Sequence, residues 1–180
     1  MDLLAPILLS TGLVTLLCFL MFLTIWEQRN LPGAIPLAFL IVAVNWWILA
    51  SAMESISTAY AAKIVWSKLQ HFSIQIIPVL WFLFAVQYSR LVEKLPAWLR
   101  KNISWIWIFP LITILLVLSN EKHGLIWNQI TVMSSNQLRE YLSYDHGAWF
   151  WIAAGFDYIM MLSSALILFW MINHTSFSNR

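Results

Sequence analysis

The sequence predicts an all-α protein that crosses a membrane about five times as a bundle of helices. Three observations support this fold class. Hydrophobic residues make up 61% of the 180 residues and charged residues only 10%, whereas an ordinary soluble domain has roughly 25% charged residues. Long apolar stretches recur along the chain. Twelve Trp residues are typical of helix ends that lie at a membrane–water interface.

This composition excludes several classes of protein. A water-soluble globule of this size cannot bury so much apolar surface, so a soluble enzyme and a disordered tail are both excluded. The net charge of +2 comes from ten basic residues that are spread along the chain. They form no basic stripe, so we expect no nucleic-acid partner. The single cysteine, Cys18, lies in an apolar run and is interpreted as a small apolar residue.

Five stretches are apolar enough to cross a hydrocarbon core, which needs roughly 20 residues per helix. In lipid the backbone must satisfy its own hydrogen bonds, so each stretch is predicted to be helical. The first is too long for a signal peptide and lacks a basic start, because Asp2 is its only charge before Glu27. The predicted spans cover residues 3–26, 31–53, 65–88, 103–118 and 148–172, and together they form one membrane domain over residues 1–172.

Individual residues set the limits of these spans. Pro32 and Gly33 precede the second span, and Glu54 closes it. Pro78 lies inside the third span, where it removes one backbone hydrogen bond and predicts a kink that widens the bundle locally. The fourth span is short and is flanked by polar residues. The fifth carries Asp157 about nine residues from its start, roughly 14 Å deep at the helical rise.

The distribution of basic residues predicts the orientation. Cytoplasmic loops of membrane proteins carry an excess of Lys and Arg. Six of the ten basic residues fall on one side of the five predicted spans: Arg29, Arg90, Lys94, Arg100, Lys101 and Arg180. That side is therefore predicted to be cytoplasmic, with the N-terminus outside and residues 173–180 forming a cytoplasmic tail.

The longest loop, residues 119–147, is then predicted to lie outside. Loops of this length without secondary structure are uncommon and are often functional. Residues 125–127 and 130–133 are apolar. We therefore expect the loop to fold back on the bundle or to lie in the interface, in the form of a short hairpin.

Polar side chains at membrane depth are costly to bury, so each needs a partner or a role. Glu54 has two interpretations: an interfacial acid paired with Lys63 or Lys68, or an anion that faces the bundle interior. Asp157 either forms a hydrogen bond with a neighbouring helix, for which Asn45 is a candidate partner, or faces a ligand.

The third span carries a broad polar face in its outer half. Trp66, Gln70 and Ser73 follow the i, i+4, i+7 spacing of one helix face, and His71 and Gln75 form an adjacent stripe. This pattern is typical of a helix that lines an outward-opening cavity. It is equally typical of hydrogen bonds that hold neighbouring helices together.

No motif predicts catalysis, and no cofactor is expected. The sequence contains no Gly-rich phosphate loop, metalloprotease helix motif or nucleophile elbow. Acidic and histidine residues of the long loop do not have the spacing of a metal site, so no metal is expected. These loop residues are Glu121, His123, Asp145 and His146.

Four segments carry a family resemblance. They are Ala-Ser-Ala-Met-Glu-Ser at residues 50–55; Trp66-Ser-Lys-Leu-Gln70 with Pro78 and then Phe84-Ala-Val-Gln-Tyr88-Ser; Phe109-Pro110-Leu-Ile-Thr113 leading to Ser119-Asn120-Glu-Lys-His123-Gly-Leu125-Ile-Trp127; and Gly147-Ala-Trp-Phe150 with Tyr158. Their order and spacing over about residues 5–172 resemble the N-terminal seven-helix membrane region of bacterial and archaeal sensor histidine kinases.

The resemblance implies an extracytoplasmic, helix-lined sensor region in a prokaryotic plasma membrane. In such proteins the last helix couples the sensor to cytoplasmic signalling domains, commonly a histidine kinase. The family pattern continues with two more helices, a linker and an output domain, whereas this sequence ends after five predicted spans. No kinase activity is therefore expected of these residues.

Two classes of function remain, and a third has less support. In the first, a receptor module binds a small molecule among the second, third and fifth spans, beneath the long loop, and signals to a cytoplasmic or membrane partner or through a homodimer. In the second, the chain is a non-catalytic assembly subunit of a membrane complex. A transport path through Asp157 and His71 has less support because no inverted repeat is visible. The candidate ligand-binding residues are Glu54, Trp66, Gln70, His71, Asn120, His123, Trp127 and Asp157.

Overall fold

The computed structural model describes residues 4–135 and 139–177. Leu3, where the sequence predicts the first span to begin, lies outside this range, as do residues 136–138 of the long loop and Arg180 of the predicted tail. Within the described range, four helices are long and apolar enough to cross a membrane. This result confirms the predicted helical membrane bundle.

Three of these helices follow one another at the start of the chain. They are α1 (Leu4–Glu27), α2 (Ala34–Ile56) and α3 (Tyr60–Tyr88). Gly33 begins α2 with a φ of 83°, a conformation that strongly favours glycine. α3 starts at Tyr60, before the predicted limit of residue 65, so Lys63 lies in its first turn.

The fourth predicted span is built from pieces. Two short helices, α4 (Leu91–Lys94) and α5 (Ala97–Lys101), follow α3. A 3-10 segment, Ile103–Trp107, then leads into α6 (Ile108–Leu118). Together the last two segments are shorter than the roughly 20 residues that a full crossing needs.

The described residues of the long loop include two β-strands. A 3-10 turn, Asn120–Lys122, precedes β1 (Trp127–Ser135), which pairs in antiparallel fashion with β2 (Arg139–His146). Trp127 pairs with His146, and the register shifts between Trp127 and Gln129. The all-α bundle therefore carries a β-hairpin, the form that the apolar pattern of the loop predicts.

The hairpin leads directly into the last long helix, α7 (Ala148–Phe177). Gly147 makes this junction, where its N–H donates to the carbonyl of Ile126 at 2.8 Å. A Cβ atom at Gly147 would lie against the carbonyl oxygens of Gly124 and Leu125, closer than real Cβ atoms approach. This close approach of two backbones places the start of α7 beside the start of the hairpin.

α3 is the central helix, and it packs against α2, α6 and α7. Its buried residues change in character along its length. Near the hairpin they are polar, whereas the inner half is apolar around Val79 and Val86. The buried polar members are Lys63, Ser67, Ser73 and Gln75. The polar outer half of the third span, predicted from residue spacing, is therefore inside the bundle, where neighbouring elements can supply partners.

Candidate functional site

The carboxylate of Glu54 joins three elements, α2, α3 and β2, at the hairpin end of the bundle. Gln70 Nε2 of α3 donates to Glu54 Oε2. The Tyr144 hydroxyl of β2 lies 3.1 Å from Glu54 Oε1 and 2.8 Å from Ser67 Oγ. A carboxylate can only accept, so the phenol donates to Glu54 and accepts from Ser67. Burial raises the pKa of Tyr144, so its hydroxyl remains protonated and able to donate at neutral pH.

The first interpretation of Glu54, a pair with Lys63 or Lys68, is wrong. Lys63 Nζ donates to the backbone carbonyl of Glu54 at 3.3 Å. Lys68 instead forms an ion pair of 2.5 Å with Glu121 beside the 3-10 turn. The hydrogen bond from Lys68 holds the pKa of Glu121 below its usual value. The Lys68 pair therefore anchors the base of the hairpin to α3, and the carboxylate of Glu54 faces Gln70 and Tyr144.

A cavity of about 230 Å³ lies beneath the hairpin. Residues of α3, α6 and α7 line it. Ile126, the residue before β1, also forms part of its wall. The sequence predicts a site among the second, third and fifth spans, whereas this cavity lies among the third, fourth and fifth. Its lining residues are His71, Ile74, Gln75, Thr113, Ile126, Phe150, Ala153, Ala154, Asp157 and Tyr158.

Asp157 is bonded to Gln75 across the cavity wall. Gln75 Nε2 donates to Asp157 Oδ2 at 3.1 Å, which links α3 to α7. The prediction that Asn45 is the partner of Asp157 is wrong. α7 packs against α3, whereas Asn45 lies in a separate cleft between α1 and α2. Within the described residues, Gln75 Oε1 and Asp157 Oδ1 are buried and have no hydrogen-bond partner.

His71 connects this cavity with the hydrogen-bond network around Glu54. Its Nδ1 lies 3.1 Å from the carbonyl oxygen of Ser67. The ring meets that of Trp127 edge to face at 4.8 Å, and Trp127 packs in turn on Tyr144 at 5.5 Å. Trp127 is only 2% exposed. A continuous set of contacts therefore runs from the cavity to the carboxylate of Glu54.

Asn120 and His123 organise the turn that carries Ile126 and Trp127. Asn120 Oδ1 accepts from the N–H groups of both residues at 3.0 and 3.1 Å, and its Nδ2 donates to the Trp127 carbonyl at 2.9 Å. His123 Nδ1 accepts from the N–H of Leu125 at 3.0 Å. The polar atoms of Asn120 thus hold the turn in the position that covers the cavity.

The structure brings together most of the predicted site residues, but in two separate places. His71 and Asp157 line the cavity, whereas Glu54 and Gln70 belong to the hydrogen-bond network around Glu54, which Trp127 and His71 connect to the cavity. Trp66 is half-buried on α3 and is not among the residues that line the cavity.

Three residues contribute to the cavity or to the network around Glu54 but are not among the site residues that the sequence predicts. Gln75 follows His71 by one helical turn, so its place in the polar stripe was a usable signal. Thr113 accepts from Trp149 Nε1 at 3.1 Å, a contact that spacing within α6 does not predict. Tyr144 lies in β2, and the sequence carries no signal that its side chain reaches Glu54.

A larger groove, about 670 Å³, lies between α2 and α3 near Trp107. Trp46 Nε1 already donates to the Leu69 carbonyl at 3.1 Å, and the remaining walls are almost entirely apolar. An apolar groove without convergent polar groups is typical of a surface that contacts lipid. The smaller cavity beneath the hairpin is therefore the better candidate for a specific site.

We predict that Asn120→Ala destabilises the protein, because the N–H groups of Ile126 and Trp127 lose their acceptor. A buried polar group left without a partner costs roughly 1–3 kcal/mol. Thermal unfolding of the purified protein in detergent would measure the effect. Asn128→Ala is the matched control, because Asn128 is exposed at the start of β1 and its replacement should leave the melting temperature nearly unchanged. Equal melting temperatures for the two variants would contradict this role of Asn120.

The comparisons with known proteins agree with this architecture. The family described as "N-terminal 7TM region of histidine kinase" matches residues 10–180. No curated protein and no solved structure matches the chain. The matched region is a non-catalytic membrane sensor module, which lies in the cell membrane as a multi-pass protein and has a kinase as its signalling partner. The chain therefore belongs to the family of N-terminal 7TM regions of histidine kinases.

Proposed function

We propose that this chain binds a small extracytoplasmic ligand in the cavity beneath the hairpin and passes a conformational signal to a cytoplasmic output such as a histidine kinase. The observation that carries the proposal is a pair of buried oxygen atoms, on Gln75 and Asp157, that have no hydrogen-bond partner among the described residues. Buried polar groups in proteins are nearly always paired. Because both residues line one cavity, the two atoms favour a bound molecule as their partner.

The placement of α7 supports the proposal that ligand binding is passed on as a conformational signal. Its first turns line the cavity through Phe150 and Asp157, and the same helix continues without a break to Phe177. A ligand shifts an equilibrium between two helix arrangements only by the difference in its affinity for them. A ligand that bonds to Gln75 and Asp157 supplies that difference at the contact between α3 and α7.

The predicted orientation places the cavity on the extracytoplasmic side. The outer turns of α3 and the hairpin would face the medium, and the segment with α4 and α5 would face the cytoplasm. This orientation rests on the excess of Lys and Arg in the predicted inner segments.

We predict that single cysteines will report this orientation. In a Cys18→Ala background, Asn128→Cys should react with a membrane-impermeant maleimide in intact cells, because Asn128 is exposed on β1. Glu93→Cys, exposed on α4, should react only after the cells are permeabilised. The reverse pattern would place the cavity on the cytoplasmic side and contradict the proposal.

We predict that the binding of a small-molecule ligand will be lost when a larger side chain fills the cavity. A thermal-stability screen of the purified chain against a metabolite library should yield a compound that raises the melting temperature. Saturation at 100 times the Kd stabilises the folded state by about 2.7 kcal/mol. Ala154→Leu puts a larger side chain into the cavity wall and should abolish the shift.

The matched control is Ala165→Leu, which makes the same change on the same helix at an exposed position. It should keep the ligand-induced shift. A compound that stabilises both variants equally binds elsewhere, which would contradict the cavity as the receptor site. A folded, monodisperse sample without any hit would favour the assembly-subunit function.

One observation favours that second function, a non-catalytic subunit of a membrane complex. Thr15 Oγ1 and Asn45 Oδ1 are buried without a partner among the described residues, and both residues line the cleft between α1 and α2. Polar side chains at such positions form hydrogen bonds between transmembrane helices. A helix of another membrane chain would satisfy them.

A further inference from the structure

The two unpartnered atoms in the cavity wall are both acceptors. Gln75 is only 2% exposed. One N–H of its Nε2 donates to Asp157 Oδ2, and its Oε1 has no partner among the described residues. Asp157 keeps Oδ1 free in the same way. A ligand that satisfies these atoms must therefore bring hydrogen-bond donors.

The hydroxyl of Thr113 and the imidazole N–H of His71 are already engaged. Thr113 Oγ1 donates to the Phe109 carbonyl at 3.1 Å. His71 Nδ1 bonds to the carbonyl of Ser67, and because a carbonyl only accepts, Nδ1 carries the hydrogen and Nε2 of the neutral ring is a further acceptor. The remaining hydroxyl, that of Tyr158, belongs to a residue that is 70% exposed.

The charge of the cavity also favours a ligand that brings hydrogen-bond donors. Among the described residues that line the cavity, Asp157 is the only acidic one, and none is Lys or Arg. A carboxylate within a membrane bundle needs protein, water or a cation as its partner. Phe150 and Tyr158 add aromatic rings, whose faces attract a cation in a desolvated site.

Calcium and magnesium ions do not fit this wall. Calcium takes six to eight oxygen ligands and magnesium needs a near-octahedral set, whereas the wall offers two free side-chain oxygens. No group of three or more His, Cys, Asp or Glu residues in the described part of the chain is placed to hold a metal ion. The rest of the wall is apolar, through Ile74, Ile126, Ala153 and Ala154, and it suits a carbon skeleton.

We propose that the cavity selects a small organic ammonium ion, whose N–H groups donate to Asp157 Oδ1 and Gln75 Oε1 while its carbon body packs against the apolar wall. This inference rests on the proposed function and names the ligand class of the same site. A cavity of about 230 Å³ has room for on the order of ten non-hydrogen atoms at the packing density of a protein interior. Short aliphatic amines and amines with a single ring have this size.

The test compares three probe series that differ in charge but not in carbon skeleton. Ethylammonium, butylammonium and benzylammonium are titrated against the full chain in phosphatidylcholine nanodiscs at neutral pH. The matching alcohols and the matching carboxylates are titrated in parallel, and calorimetry gives each Kd. At least one ammonium ion should bind at least about tenfold more tightly than its alcohol, and the carboxylates should not bind.

Asp157→Asn keeps the shape of the side chain and removes its charge. It should weaken ammonium binding by about thirtyfold or more, the usual effect of removing one partner of a buried charge pair. Glu27→Gln removes a negative charge at the exposed end of α1 and should leave the Kd unchanged. Ala154→Leu should abolish binding, and gel filtration with thermal unfolding verifies that each variant is folded.

The outcomes separate this inference from the proposed function. Alcohols or carboxylates that bind as tightly as the ammonium ions, and are blocked by Ala154→Leu, would overturn the ammonium inference and leave the cavity as a receptor site. Ammonium binding that persists in Asp157→Asn and Ala154→Leu would place the ions elsewhere and also overturn it. If no ammonium probe binds, the ammonium inference fails, while the metabolite screen still decides the proposed function.

Discussion

The structure depends on the need to satisfy a carboxylate that is buried in a membrane bundle. Asp157 lies in a helix surrounded by apolar residues, where an isolated acid is costly. Gln75 meets part of this need from the neighbouring helix, and so the bond between them sets how α3 and α7 face each other. The bond uses one N–H of Gln75 and one carboxylate oxygen of Asp157, so the contact that joins the helices leaves Gln75 Oε1 and Asp157 Oδ1 without a partner among the described residues.

A second layer of polar contacts covers the first. Glu54, Ser67 and Tyr144 tie the hairpin to α2 and α3, and the ion pair of Lys68 with Glu121 fixes its base. The exposed ion pair contributes little to stability in water, whereas the half-buried network is shielded from solvent. Trp127 and His71 connect the two layers. The hairpin is therefore coupled to the cavity through packed side chains as well as through the backbone near Gly147.

The helices that follow from the apolar interior of the bilayer are predictable from the sequence. The features that depend on contacts between residues distant in the sequence are not. Apolar length was sufficient to find the long helices, and polar spacing on the third span placed His71 and Gln70 inside the bundle. The partner of Asp157 was not predictable, because Asn45 and Gln75 are both amides at membrane depth and only the packing of α3 on α7 distinguishes them. Asn120 has side-chain chemistry suited to a ligand site, but its atoms are used by the backbone of a turn that the sequence does not define.

Under the proposed function, a ligand in the cavity alters the arrangement of α7. Pulsed electron resonance measures this change with spin labels at Glu27→Cys and Asn173→Cys in a Cys18→Ala background, because Glu27 ends α1 and Asn173 lies near the end of α7. A saturating cavity ligand should shift the distance distribution between the labels, and the shift should be absent in the cavity-filled Ala154→Leu protein. An unchanged distribution at full occupancy would contradict the proposed function, because the ligand would then bind without moving α7.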